Sequence, residues 1–339
     1  MVIEDNSAGS NASTVLVMKP DGEMYYRKYA FDEDGVKLQE QIDWIESHQA
    51  DIPLPIITEK RNEHNLVTYD MHSYGSTTGL FRYIHTMPLE SSWIVLENAL
   101  NDIKAGLHIK NVHKADSVTI DNYIKDKVEK NLRIIKDEDR YIRILEQFDT
   151  IIVNGQAYHT LGFYSELLSS DHMHGIFNND DYSDIHGDLT IENIICMSDS
   201  KEVADNEYVG KVKPKKYYFI DPNTGNVHDS PFLDYGKLLQ SLHGNYEFLM
   251  MVTDVKIEKD HVYFLMTKSE AYGSIYRLYR EYLKNNYTRE QMLSIYYHEI
   301  IHWLRLMPYK IRKNEKLAVV FYTGMLAVLK DVWEMEYGE

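Results

Sequence analysis

The period of the hydrophobic pattern changes along this chain, and that change constrains the fold more than any other feature. Up to about residue 75 strand-like alternation dominates: residues 14–18 and 24–29 flank a Pro20-Asp21-Gly22 turn, which is a hairpin signal. Residues 34–47 are the exception, with Val36, Leu38, Ile42 and Ile45 repeating at helical spacing among Lys, Gln and Glu. Pro53 and Pro55 close that stretch, and two further strands are predicted at 56–60 and 66–71 around a polar turn. Beyond Tyr74-Gly75-Ser76 the pattern is mostly helical, at 89–109, 120–135 and 140–153. A β-rich island follows over 194–227, interrupted by the charged stretch 198–216, and a hairpin is predicted within 252–265. Residues 269–337 read as helices, with Asn285-Asn286 and Pro308 as breakers. The expectation is an α+β chain: a small β-rich N-terminal lobe over 1–74, a hinge near 70–75, and a larger, mainly helical C-terminal lobe over 75–339.

Composition narrows the function. A length of 339 residues suits one large or two smaller structural units, and 44% hydrophobic with 26% charged residues is the balance of an ordinary globular protein. The net charge of -17 argues against nucleic acid or an anionic membrane as partner, since both need clustered Lys and Arg. Cys196 is the single cysteine, so no internal disulfide forms. No apolar run offers a membrane span, and the start Met1-Val2-Ile3-Glu4-Asp5 lacks the basic and apolar regions of a secretory signal, so a cytoplasmic location is expected. Nothing in the sequence specifies an oligomeric state.

The island carries the chemistry. In Ile185-His186-Gly187-Asp188-Leu189-Thr190-Ile191-Glu192-Asn193 an Asp is followed five positions later by an Asn. That is the spacing at which a kinase catalytic loop sets its base against a substrate hydroxyl and an amide oxygen on Mg²⁺. Ile194-Ile195-Cys196 then reads as a buried strand. Its return partner, Tyr217-Tyr218-Phe219-Ile220, ends at Asp221, whose carboxylate is placed to join Asn193 in bridging the ion to nucleotide phosphates.

These residues resemble the aminoglycoside phosphotransferase and choline kinase-like superfamily, which also contains the fructosamine kinases. The resemblance rests on His-Gly-Asp-Leu-x-x-x-Asn at 186–193, Ile-Asp-Pro at 220–222, and Asp234 within Pro231-Phe232-Leu233-Asp234-Tyr235-Gly236. It implies a two-lobed, protein-kinase-like fold and a Mg²⁺-dependent transfer of a γ-phosphoryl group from ATP or GTP to a hydroxyl of a small metabolite, such as a sugar, amino sugar or amino alcohol. It implies further that Asp188 is the catalytic base, that Asn193 and Asp221 hold the metal, and that His186 and Asp234 brace the catalytic loop.

The front lobe of such a fold needs a phosphate-covering loop, a strand Lys and a helix Glu. Residues 7–13 supply the loop, with Ser10 and Asn11 as phosphate-capping candidates and only Gly9 where protein kinases have several glycines. Lys28 shares a strand face with Tyr26. Glu40, one turn after Val36 and one before Trp44, is placed on the inward helix face as its partner. Backbone groups at Asp70 and His72 are candidates for holding the nucleotide base.

Two other readings compete with this one. His298-Glu299-Ile300-Ile301-His302 is an HExxH pattern, which on a helix can make a zinc hydrolase, although no downstream acid stands out as a third ligand. A kinase fold without catalysis, acting as a binding module, is the other alternative; such modules usually lack the base or a metal ligand, and all three residues are present here.

Overall fold

A computed structural model describes residues 1–7, 12–197 and 217–338. In chain order the first elements are β1 (Val2–Asp5), β2 (Ser13–Met18), β3 (Met24–Phe31), α1 (Asp32–His48), β4 (Ile57–Glu63), β5 (Leu66–His72) and β6 (Thr77–Gly79). Then come α2 (Leu80–Thr86), α3 (Leu89–Gly106), β7 (His113–Lys114), α4 (Ser117–Ile124), a π turn, α5 (Lys130–Glu138), α6 (Arg140–Leu145), β8 (Thr150–Val153), β9 (Gln156–His159), α7 (Ser170–Phe177) and β10 (Asp181–Tyr182). A 3₁₀ turn at Ile191–Asn193 leads into β11 (Ile194–Met197) and β12 (Tyr217–Phe219). The remainder is α8 (Pro231–Leu242), α9 (Tyr246–Met250), β13 (Lys256–Glu258), β14 (His261–Tyr263), α10 (Glu270–Asn286), α11 (Arg289–Lys313) and α12 (Glu315–Tyr337). Among the described residues no helix is long and apolar enough to cross a membrane.

Packing divides the chain into two compact units. One holds Met1–Lys110 with Ile185–Asn226, the other Asn111–Asp184 with Val227–Glu339, so the chain changes unit three times and not at the composition shift near residue 75.

The first unit is built on an antiparallel sheet in the order β1-β2-β3-β5-β4, whose central ladder pairs Lys28 with Tyr69 and Arg27 with Asp70. Alternation sends Lys28 and Ala30 inward while Tyr29 lies between them, half-buried. α1 covers this sheet with Gly35, Leu38, Ile42 and Ile45, a stripe at i, i+3, i+7 and i+10, and carries Asp32, Glu33 and Asp34 at its positive N-terminal end. A second sheet, β12-β11-β6, places Gly79 opposite Ile195 and Phe219 opposite Ile194.

The second unit is helical, with α11 buried on nearly every side from Ile295 to Leu304 and packed on α8 and α12. Pro308 does not break α11, contrary to its sequence signal; burial of Met307, Pro308 and Ile311 outweighs the ~3 kcal/mol that an interior proline costs. The helix predicted at 140–153 is also shorter: α6 stops at Leu145, and Thr150 to Val153 form β8, where β-branched residues pair with β9 and β14. Several charged groups in this unit are tied down in pairs and triads. Buried Asp180 accepts from His228 Nε2 at 3.2 Å and His298 Nε2 at 3.0 Å, and each ring's Nδ1 meets a tyrosine hydroxyl, Tyr182 and Tyr123. His243, just past α8, donates Nδ1 to Glu299 at 2.8 Å and Nε2 to Asp331 at 3.0 Å.

Candidate active site

The loop between β10 and β11 owes its shape to one glycine and one histidine. Gly187 has φ +78°, and a Cβ there would lie 2.2 Å from Asn226 Nδ2 and 2.3 Å from the Asn223 carbonyl, so no other residue fits without displacement. His186 is fully buried; its Nε2–H donates to the Ile220 carbonyl at 2.9 Å while Nδ1 accepts the Asp188 amide at 3.3 Å. One neutral imidazole therefore ties the backbone of Asp188 to the residue that precedes Asp221. Trp44 and Phe219 pack against that ring.

From there the geometry is local. Asn193 donates Nδ2 to the Asp188 carbonyl at 2.7 Å and to Asp188 Oδ2 at 3.1 Å, which leaves Asn193 Oδ1 as the acceptor a cation would meet. Thr190 caps the 3₁₀ turn through its hydroxyl on the Asn193 amide. The Ile220 amide donates to the Asn193 carbonyl at 3.0 Å, fastening the end of β12 to the start of β11. Asp221 itself has φ +56°, a left-handed conformation that Asp tolerates better than most side chains.

Lys28 Nζ stands 2.7 Å from Asp221 Oδ1 and 3.0 Å from Gln41 Oε1, with its side chain 5% exposed against 36% for Asp221. Gln41 also accepts from Tyr69 Oη at 3.2 Å and donates Nε2 to the Pro222 carbonyl at 2.8 Å, so it bridges α1, the sheet and the Asp221 loop. Burial pushes the Tyr69 phenol well up, and the Asp221 carboxylate adds to the rise. Burial likewise pushes the Cys196 thiol up to about 12, leaving it inert.

Beside this cluster lies a cavity of about 410 Å³ lined by Tyr26, Met71, His72, Ile195, Tyr218, Ile220 and Asp221, with Arg82 and Thr14 also at its wall. Its size is that of a small-molecule site, and its walls are mixed, with Glu4, Asn6, Thr77 and Thr78 lining it beside the apolar residues. One carboxylate and one amide oxygen suit Mg²⁺, because phosphate and water supply its other ligands. Asp221 already receives a cation in the form of Lys28, which fits a carboxylate placed to meet positive charge.

Several sequence expectations need correction. Glu40 does not pair with Lys28: it is exposed on the outward face of α1 and accepts from Thr224 Oγ1 at 3.4 Å. The inward stripe starts at Leu38, not at exposed Val36, so the polar residue one turn on is Gln41. Counting from Leu38 instead of Val36 was the signal that would have found it. Asp70 is not open to a nucleotide base through its backbone, and at His72 the amide is taken. Asp70 lies in a central strand paired on both sides, its carbonyl accepts from Thr58 Oγ1, and its carboxylate is clamped by Arg27 at 2.7 Å through both oxygens. The His72 amide donates to the Ile56 carbonyl at 3.0 Å, although His72 does line the cavity. Ser10 and Asn11 lie outside the described residues, as does the stretch 198–216. Asp234 is fully buried in the first turn of α8, behind the Ser230 N-cap, in the second unit.

The HExxH residues face different partners. His298 goes to Asp180, His302 donates Nε2 to the Leu233 carbonyl at 3.1 Å, and Glu299 accepts from His243. No common point remains for a metal held by both histidines of the motif, so the hydrolase reading fails. His298 instead belongs to the hydrogen-bonded Asp180-His228-His298 cluster.

No family model matches the chain, and no curated protein does. Solved structures do. A point mutant of aminoglycoside 2′-phosphotransferase IIIa in its GDP complex superposes with a TM-score of 0.55 over 100% of this chain and 94% of its own, at 12% identity. The chain shares that fold. Aminoglycoside phosphotransferase APH(4)-Ia follows with a TM-score of 0.50 at 10% identity over 96% and 92% of the two chains. A candidate fructosamine-3-kinase from Thermobifida fusca YX-ER1 has a TM-score of 0.50 at 12% identity over 97% and 94%. The α+β, kinase-like fold expected from the sequence is thus the fold observed, and it is shared by small-molecule kinases of two kinds.

Proposed function

We propose that the chain is a Mg²⁺-dependent small-molecule kinase that moves the γ-phosphoryl group of ATP or GTP to a hydroxyl of a sugar, amino sugar or amino alcohol. The observation that carries this reading is the convergence in one compact unit of Asp188, Asn193, Asp221 and Lys28 beside a 410 Å³ cavity. In this reading Asp188 orients the acceptor hydroxyl and takes its proton as the oxygen attacks phosphorus. Asn193 donates to Asp188 Oδ2 and so orients the carboxylate. Asn193 Oδ1 and Asp221 would hold Mg²⁺, whose charge would offset that of the nucleotide phosphates when it is bound. Lys28 shifts its ammonium from Asp221 onto those phosphates when the nucleotide binds. His186 is a positioning residue, because a displacement of about 1 Å at such a site can cost on the order of a hundredfold in rate.

The nucleotide base sits in the cavity walled by Tyr26, Met71 and Tyr218, next to the hinge. With Asp70 and the His72 amide committed to the sheet, the hinge is assigned to residues 73–76, where β5 has ended and Gly75 turns the chain at φ +82°. Residues 1–74 are the nucleotide-binding lobe in this proposal. Asp234 braces the catalytic loop. GDP in the 2′-phosphotransferase complex makes guanine as well as adenine a donor base to be tested. Such a reaction draws on the nucleotide pool of the cytoplasm, where we place the protein.

The test is a hydroxyl-acceptor library of sugars, amino sugars and amino alcohols, with ATP and with GTP, reading nucleoside diphosphate release with and without Mg²⁺. Acceptor-dependent, Mg²⁺-dependent release that disappears in Asp188→Ala is expected. Release that persists in Asp188→Ala would refute the role given to Asp188, and binding of nucleotide without release for any acceptor would point instead to a non-catalytic module.

A further inference from the structure

Lys310 near the C-terminal end of α11 is a buried cation with no anion. Its residue is only 5% exposed, and among the described residues no carboxylate pairs with Nζ. What surrounds the ammonium is soft and uncharged: Met250 Sδ at 2.7 Å, and the rings of Phe321, Tyr246 and Tyr309 with centroids 4.2, 5.2 and 5.7 Å away. Rings and a thioether recover part of the lost hydration, but an unpaired buried charge remains costly. Burial, with Lys313 as a neighbouring like charge, accordingly draws the ammonium down from its ordinary 10.5 to about 8, so it is still mostly charged at neutral pH.

This lysine lines a cavity of about 230 Å³. Leu249, Val252, Leu317 and Val320 give the cavity apolar walls, exposed Lys313 adds a second positive charge, and the first turn of α12 after Asn314 lines it with the positive end of a helix dipole. No acidic residue lines it. A cavity of about 150 Å³ accommodates a benzene ring, so this one has space for a ring or a short alkyl chain together with one small charged group.

We infer that this cavity is a binding site for a small apolar monocarboxylate, with the carboxylate on Lys310 and the hydrocarbon against Leu249, Leu317 and Val320. A phosphate ester is disfavoured because its second charge and three oxygens call for more donors than two ammonium groups and one amide side chain offer. The site lies wholly within the second unit and shares no residue with the catalytic cluster, so the inference stands or falls independently of the proposed kinase activity.

The test is calorimetric titration of the full chain at pH 7 with benzoate, phenylacetate and octanoate, and with benzyl alcohol as an uncharged counterpart. At least one acid is expected to bind tenfold or more tightly than benzyl alcohol. Lys310→Met should remove that preference, weakening the acid about tenfold or more while leaving the alcohol unchanged. Leu317→Trp, which fills the cavity from its rim without touching the ammonium, should abolish binding of both and guards against misfolding of the first variant. No acid binding more tightly than benzyl alcohol, or acid binding that survives either substitution, would overturn the inference.

Discussion

His243 should give the protein a stability that fades in mild alkali. Its two ring nitrogens both face carboxylates, Glu299 at 2.8 Å and Asp331 at 3.0 Å, so both carry protons and the ring is an imidazolium. Burial alone would lower its proton affinity; the two carboxylates outweigh burial and raise it from 6.5 to about 9. Tyr276, stacked at 5.2 Å, and the edge of Tyr296 at 5.7 Å close off the ring. A folded-state value above the unfolded one means the native state holds the proton more tightly. The contribution is complete below about pH 6.5 and is lost as pH rises through 9. At about 1.4 kcal/mol per tenfold change in affinity the rise corresponds to roughly 3 kcal/mol, an upper bound because the Asp331 side chain is half exposed and its pairing is screened by water. Urea unfolding at pH 6.5 and pH 9.5 measures it, with His243→Gln as the control for every other group titrating in that window. The wild type should lose about 2–3 kcal/mol more than the variant between the two pH values. Direct ¹⁵N titration of the His243 ring should give a midpoint near 9. Parallel stability curves for the two proteins, or a ring midpoint at or below 6.5, would refute the reasoning.

Other substitutions test the catalytic unit and the buried lysine. Lys28→Met should leave the melting temperature within a few degrees, because partly exposed Asp221 keeps its hydration, yet lower turnover about a hundredfold or more in the nucleotide-release assay. Gly187→Ala should destabilise the protein by about 2–4 kcal/mol in urea, combining the cost of φ +78° for a residue with a Cβ with the clash on Asn223 and Asn226. Lys310 works oppositely to His243: the folded-state value of about 8 lies below the ordinary 10.5, so the wild type should gain stability on Lys310→Met as pH rises from 8 to 10.5. That gain should reach roughly 3 kcal/mol, and a constant difference between the two proteins over that range would contradict it.

The candidate catalytic cluster was legible because its residues lie on a short loop and a hairpin, where sequence order nearly fixes position. Asp188, Asn193 and Asp221 needed only the pairing of β11 with β12 to meet. What the sequence concealed depended on contacts between distant segments. Gln41 reaches Pro222 across 181 positions, and nothing local distinguishes it from Glu40. Asp70 looked available because a strand's backbone groups are spoken for only when the neighbours on both sides are known. Pro308 looked like a stop because a single-helix argument omits what α8 and α12 contribute to holding α11 straight through it. The HExxH pattern dissolved for the same reason, since each of its side chains found a partner on a different helix or loop.

The three unit changes along the chain bear on how the protein is made. Strands β11 and β12 complete a sheet that begins at β6, and the Phe219 amide donates to the Pro53 carbonyl. A ribosome that has delivered residue 110 must add ~109 more before that sheet can close at Phe219, roughly 5–22 s at common elongation rates. Until then β6 waits as a bare edge, and Gly187, His186 and Asp221, which give the site its shape, do not yet exist. The half of the molecule that begins first can also finish first, but only after residues 111–184 of the other half have been made.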